Sequence, residues 1–410
     1  MATSDGLMEV DLAIDGDRVV SIGSRSGRGE VVDCSGCLIG PGFVDVHVHF
    51  REPGQTWKED IETGSRAAAA GGFTAVVPMA NTEPATDSRG LVEAMIRRGR
   101  QVGLVEVTPA AALTLGRRGA EVSPVEELWE AGVRIFSDDG DSVGDRAVLE
   151  EAMVRIGRLG GVVAQHAEDA SLTGDGHMHE GVVSAELGIG GLPAEAEERI
   201  VERDLELAGA TGVHYHIQHV STAGTVELLR RARSEGVAVT AEAAPHHFSL
   251  DHRRVADQNT MMKMYPPLRT EQDVQAVGAA VRDGTITVIA TDHAPHTLRE
   301  KNVPFELAPR GIIGLETASS VAWSLLSDDP LAFFDRMSVA PARLAGLTAQ
   351  GRRLEVGGRA NLVIFDPDLE WTPDHFESRS QNSPWLGELL RGKPVATIYG
   401  GRFTHRMAGR

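Results

Sequence analysis

The chain has 410 residues, 41% of them hydrophobic and 5% aromatic, an ordinary composition for a folded protein with a sizeable core. Its formal net charge of −19 argues against nucleic acid or an anionic membrane as partner, because both need a basic surface. Met1-Ala-Thr-Ser-Asp5 lacks a basic segment leading into an apolar run, and no stretch approaches the roughly 18 apolar residues of a membrane span, so a cytoplasmic protein is expected.

Short strands are predicted first. Val10–Ile14 alternates, Gly16-Asp17 turns, and Arg18–Ile22 follows. Cys34 and Cys37 are the only cysteines; a C-x-x-C pair can serve redox or zinc chemistry, but this one stands alone before Leu38-Ile39, and two reduced thiols are expected. Apolar strands then alternate with helical stretches: Gly42–Phe50, Phe73–Met79, Val102–Thr108, Val133–Ser137, Gly161–Gln165, Val213–Val220, Val237–Ala243 and Thr285–Thr291. Between them, Glu59–Ala70 reads as a helix stopped by Gly71-Gly72, and Ser123-Pro124-Val125-Glu126 as a capping box with Pro in the first turn. Such strands suit a parallel sheet buried on both faces, and eight units predict an α/β fold, a (β/α)₈ TIM barrel with its chemistry at the C-terminal strand ends. The tail returns to strands at Ala360–Asp366, Pro394–Tyr399 and Arg402–Thr404. The expected division is a barrel over residues 42–350 and a small β-sandwich built from 1–41 and 351–410.

Histidines and aspartates fall at the strand ends: His47 and His49 at the end of the first, Asp138-Asp139 at the fourth, His166 at the fifth, His219 at the sixth, Asp292 at the eighth. His47 and His49 are two apart, so on a strand both point to one face. A lone His-x-His is a weak signal, and a lone His166, His219 or Asp292 would more often be a core group or a cap. Their coincidence at the catalytic rim reads as a metal site of imidazole and carboxylate ligands, with a metal that lowers the pKa of a water.

The text around them resembles the dihydroorotases, cyclic amidohydrolases of the amidohydrolase superfamily. The matching stretches are Pro41–Gly54, with Asp45-Val-His47-Val-His49-Phe-Arg51 at its centre, Met79–Pro84, Phe136–Gly140, Pro245–His247, Pro266–Arg269, Ala290–His296 and Gly314–Thr317, spread over nearly the whole chain. The resemblance implies a barrel with a β-sandwich and one or two zinc ions per subunit. His47, His49 and Asp292 would hold one ion and His166 and His219 the other. Many superfamily members bridge two metals with a carboxylated lysine after the fourth strand, but no lysine lies between Lys58 and Lys263. One dihydroorotase class uses the second Asp of an Asp-Asp-Gly motif, so Asp139 is the expected bridge, with Asp138 as the fallback. The missing lysine also counts against the hydantoinase and allantoinase branches.

The implied reaction is the zinc-dependent, reversible hydrolysis of (S)-dihydroorotate to N-carbamoyl-L-aspartate in pyrimidine biosynthesis. Asp292 would act as catalytic base and then acid. Arg51, on the same face as His49 if the strand continues, would pair with the substrate carboxylate. Asn81, His296, Arg310 and Gly311 match other substrate contacts, the last two through backbone donors. Tyr265 stands where the family usually has Asn, which leaves the ring substrate open. His293, His246 and His247 are read as supporting residues, and residues 297–305 as a mobile loop over the site. A homo-oligomer is expected. The alternatives are a related hydrolase for another ring, and a silent homologue that scaffolds aspartate carbamoyltransferase; retention of six buried polar ligand positions disfavours the latter.

Overall fold

A computed structural model describes residues 1–3, 6–23 and 29–408. Eight parallel strands form its centre: β1 (Phe43–Val48), β2 (Phe73–Pro78), β3 (Glu106–Val107), β4 (Ile135–Phe136), β5 (Val162–Gln165), β6 (His214–Ile217), β7 (Val239–Ala243) and β8 (Val288–Ile289). Neighbours pair in chain order within two runs, β1–β3 and β4–β8. Two parallel bridges join the runs into a closed ring. Ala111 pairs with Phe136, and Val48 pairs with His293, where His49 N–H donates to the His293 carbonyl at 2.9 Å. Val44, Val46, Ala75, Ile135, Val162 and Val288 meet in one buried cluster although their strands are scattered around the ring, so this cluster is the barrel interior; Leu344 and Leu347 pack into it as well. The fold is a (β/α)₈ barrel.

Several elements are shorter than their sequence signals. Val102, read as a strand start, ends the helix Arg89–Val102, because Gly103 adopts φ 68° as its C-cap. The first long helix begins at Ile61 rather than Glu59. Asp60 caps it, accepting from Thr63 N at 2.8 Å. The capping box at Ser123 does not form. Pro124 takes the cap position of the helix Val125–Glu130, and Ser123 Oγ is buried without a partner.

Strands from both ends of the chain build the small β unit. Leu38–Pro41, Leu362–Trp371, Leu390–Tyr399 and Arg402–Arg406 form an antiparallel sheet, and the hairpin Asp11–Asp15/Arg18–Gly23 packs on it through Leu12, Ile14, Ile22, Leu362 and Ile398. Alternation sends Val363 and Phe365 the other way. The Phe365 ring lies 5.2 Å from Phe333 and 5.4 Å from Trp323, in the same aromatic core as Phe43. No helix among the described residues is long and apolar enough to cross a membrane.

Candidate metal centre

His47 is the centre's best-supported residue. A register shift between Asp45 and Val48 interrupts the β1–β2 pairing where His47 sits, a common device for re-aiming a side chain beside a site. Asp45, fully buried, accepts from His47 N–H at 3.0 Å and from Thr291 N–H at 3.2 Å, tying the end of β1 to the segment that carries Asp292. His47 Nδ1 donates to Glu242 Oε1 on β7 at 2.5 Å. That bond anchors the ring through Nδ1 and turns Nε2 inward. Nε2 lies 3.2 Å from Asp139 and 3.6 Å from Asp292.

The neighbours converge on the same point. His49 Nδ1 donates to Asn81 Oδ1 at 2.8 Å, and its Nε2 lies 3.0 Å from Asp292 Oδ1 and 3.5 Å from Asp139 Oδ2. His219 Nε2 lies 3.6 Å and His166 Nδ1 3.9 Å from Asp139 Oδ1, and the two rings' nitrogens are 2.8 Å apart. Two groups able to hold a cation emerge, His47–His49–Asp139 and Asp139–His166–His219, with Asp139 common to both. Asp138 points elsewhere: it accepts from the Thr114 backbone at 3.1 Å and from the Thr114 hydroxyl. Asp139 is therefore the carboxylate that the two groups share, and Asp138 belongs to neither.

Backbone strain collects here. His219 (φ 30°), Asp292 (φ 48°) and Arg51 (φ 57°) are three of the five non-glycine residues with positive φ among those described. Each costs of order 1–3 kcal/mol and persists only where the surroundings impose it.

Electrostatics and hydrogen bonding fit a cation. Burial opposes charge on His47, but Asp139 and Glu242 on either side outweigh it and raise the imidazole well above its usual value. His166, buried beside His219, falls to about 3. Despite burial, Asp139 stays well below the usual carboxylate range beside His47, and Asp292 stays below it through the bond from His49. His47 Nε2 and His166 Nε2 are buried and meet no hydrogen-bond partner. Orphaned buried nitrogens cost about 1–3 kcal/mol each. A divalent ion satisfies such atoms in a ring of imidazole nitrogen and carboxylate oxygen.

Arg51 reaches the site by a route different from the one its sequence suggests. β1 ends at Val48, and the left-handed backbone at Arg51, rather than strand alternation, places its guanidinium. Burial lowers its pKa to about 10, with Asp292 and Asp139 the nearest opposing influences, and its Nε is buried without a partner. His296 donates from Nε2 to the Arg310 carbonyl at 2.9 Å, and Lys58 Nζ lies 3.4 Å from its Nδ1. Asn81 also donates to Asp139 at 3.3 Å, so its amide braces both His49 and Asp139. Tyr265 is sandwiched, its ring 4.6 Å from His166 and 4.0 Å from the Arg310 guanidinium. Gly311 N–H donates to the Lys263 carbonyl at 2.9 Å, so the backbone donor expected to serve the substrate is already engaged.

Residues 297–305 differ from the mobile loop expected from their polarity. Thr297 caps the short helix Leu298–Lys301. Lys301, fully buried, donates to the carbonyls of Lys263 at 3.2 Å and Pro309 at 3.0 Å. His293 takes a supporting place, accepting from Gly314 N–H at 3.2 Å and facing Glu59 at 3.4 Å. His247 bonds the Pro266 carbonyl at 3.1 Å, while both ring nitrogens of His246 are buried and unpartnered. Sequence reasoning passed over Glu242, although a lone carboxylate inside an apolar strand is a usable signal. It also passed over Lys58 and Asn382.

Comparisons with known proteins identify the family. The family model described as "Dihydro-orotase-like" matches residues 36–225. A dihydroorotase of Pelobacter propionicus is 44% identical, covering 97% of this chain and 95% of its own. The chain belongs to the dihydroorotase family. A second dihydroorotase, from Pelotomaculum thermopropionicum, is 48% identical over 91% of this chain and 88% of its own. An L-hydantoinase (dihydropyrimidinase) from Arthrobacter aurescens superposes with a TM-score of 0.87 at 24% identity, covering 100% of this chain and 95% of that one, a likeness of fold.

Proposed function

We propose that this chain is a dihydroorotase, a metal-dependent hydrolase that opens the ring of (S)-dihydroorotate to N-carbamoyl-L-aspartate and closes it in the reverse direction, in pyrimidine biosynthesis. The observation that carries the reading is Arg51: a half-buried side chain beside the metal centre that forms no ion pair among the described residues and has a buried, unpartnered Nε. Such a group suits a substrate with one carboxylate next to its reactive ring, because a bidentate pair would satisfy it. The relatives named dihydroorotase support the same choice.

The catalytic unit on this reading is the barrel, residues 42–350, with 1–41 and 351–410 as the β-sandwich. His47, His49 and Asp292 would hold one divalent ion, His166 and His219 a second, and Asp139 would bridge. Zinc suits this nitrogen and oxygen donor set. When bound, the metal lowers the pKa of a water and polarises the amide carbonyl. The chain supplies the rest. Asp292, whose carboxyl is held below its usual range beside His49, takes the proton from the attacking water at its carboxylate and returns it to the leaving ring nitrogen. Glu242 and Asn81 hold the imidazoles of His47 and His49 in register. Arg51 fixes the substrate carboxylate, His296 and Arg310 bound the ring, and Tyr265 closes its edge against His166.

The test is to purify the protein with zinc, measure bound metal, and assay dihydroorotate beside hydantoin, allantoin and dihydrouracil. Turnover of dihydroorotate above the others is expected. Bound metal with turnover only of another ring would replace this reading with that of a related cyclic-amide hydrolase. Absence of metal and of turnover would point to a scaffold.

A further inference from the structure

A stretch of the C-terminal region, residues 376–385, lies away from the β-sheet strands that flank it and rests on the barrel's catalytic rim. Ser378 Oγ and Arg379 N–H bond to Glu59, Arg379 pairs with Asp60, and Ser380 Oγ donates to the Lys58 carbonyl at 2.7 Å. Asn382 reaches furthest in and is fully buried. Its Oδ1 accepts from His296 N–H at 3.1 Å, and its Nδ2 donates to the carbonyls of Ala294 at 3.2 Å and Gly311 at 3.1 Å. Its own carbonyl accepts from Ile313 N–H at 3.1 Å.

These bonds continue a ladder. After β8, His293 pairs with Ile312, and Ala294 N–H donates to the Ile312 carbonyl at 2.7 Å. One residue further, Pro295 has no N–H to offer, and backbone pairing stops. The Asn382 amide takes the place a neighbouring strand's peptide would fill, bonding residues 294 and 296 on either side of the proline and reaching across to Gly311. Gly311 lies close against this segment: at φ 128°, a Cβ there would lie 2.7 Å from Ala294 Cβ. The two segments joined this way carry His296, Arg310 and Gly311.

We infer that Asn382 is a positioning residue for substrate binding, holding the wall formed by His296, Arg310 and Gly311 at its distance from Arg51. The inference rests on the proposed function only for the identity of the ring. Replacing the amide by a carboxylate keeps its size and its acceptor but removes both donors, leaving the Ala294 and Gly311 carbonyls unsatisfied.

The experiment uses the full-length, metal-loaded protein and whichever ring the wild type turns over, so failure on dihydroorotate and failure of this inference are separate results. Asn382→Asp is expected to raise KM roughly tenfold, with kcat within about twofold and bound metal unchanged. Lowering the pH should narrow the KM ratio to wild type, because the variant's carboxyl, once protonated, can donate again. Ser378→Ala, which loosens the same segment at Glu59, should lower the thermal midpoint and leave KM within about twofold. Should Asn382→Asp fail to fold, Asn382→Ser, which retains one donor, carries the same KM expectation. An unchanged KM in a folded variant, or a KM rise matched by Ser378→Ala, overturns the inference. So does a loss of metal or of kcat equal to the change in KM.

Discussion

His47 and His166 are both buried imidazoles at the ends of barrel strands, yet only His47 has a carboxylate behind it. Glu242 holds its Nδ1 at 2.5 Å and also receives His219 N–H at 3.3 Å, while Asn81 holds His49 at 2.8 Å. His166 has no equivalent. Its Nε2 is unpartnered, its Nδ1 faces His219, and the Tyr265 ring packs on it at 4.6 Å. A carboxylate behind an imidazole fixes the tautomer and raises its basicity as a ligand; packing fixes only the ring's place. The half-site at His47 is thus preorganised for a cation by hydrogen bonding, and the half-site at His166 by shape.

The largest effect should come from the group assigned to move the proton. Asp292→Asn is expected to lower turnover by roughly a thousandfold or more with metal retained, measured by steady-state assay and elemental analysis. Near-normal activity would refute the proton-transfer role. Next is the comparison itself. Glu242→Gln should weaken the tighter metal about 10- to 100-fold in chelator competition, while His166→Ala leaves that affinity intact and removes only the weaker ion. Equal loss of both ions at one chelator concentration in the wild type would dissolve the distinction. Tyr265→Asn uncovers the face of His166 and frees Arg310. It should shift the ratio of kcat/KM for dihydroorotate over hydantoin by roughly tenfold; an unchanged ratio means that Tyr265 does not set the ring.

The smallest effect lies outside the centre. Burial, and the charge of Lys263 after it, lower Lys301 from 10.5 to about 7. Between those values the unfolded chain holds a proton that the folded chain lacks, so stability rises with pH across this window. Lys301→Met should reduce that slope by up to one proton in denaturant titrations run at its two ends. An identical slope would show that Lys301 stays charged when folded.

The six candidate residues could be seen to converge because each stands at the end of an apolar strand, and a closed parallel barrel must bring all its strand ends to one rim. Period and spacing carry that much, since alternating strand and helix leave few other topologies. Supporting contacts were less legible. Glu242 lies 195 residues from His47, and no local pattern relates them. Arg51 was assigned its place on strand alternation that ends three residues too early. Residues 297–305 looked mobile from their charge, whereas Lys301 turns inward onto two carbonyls.

Residue type and position along a strand thus determined, from sequence, which groups stand at the rim and that they suit a metal. Tertiary structure decided which of Asp138 and Asp139 faces it, which imidazole gains a carboxylate, and that Asn382 joins the wall of the site. Those outcomes depend on distances between segments hundreds of residues apart, and hydrogen bonds form only within about 3 Å.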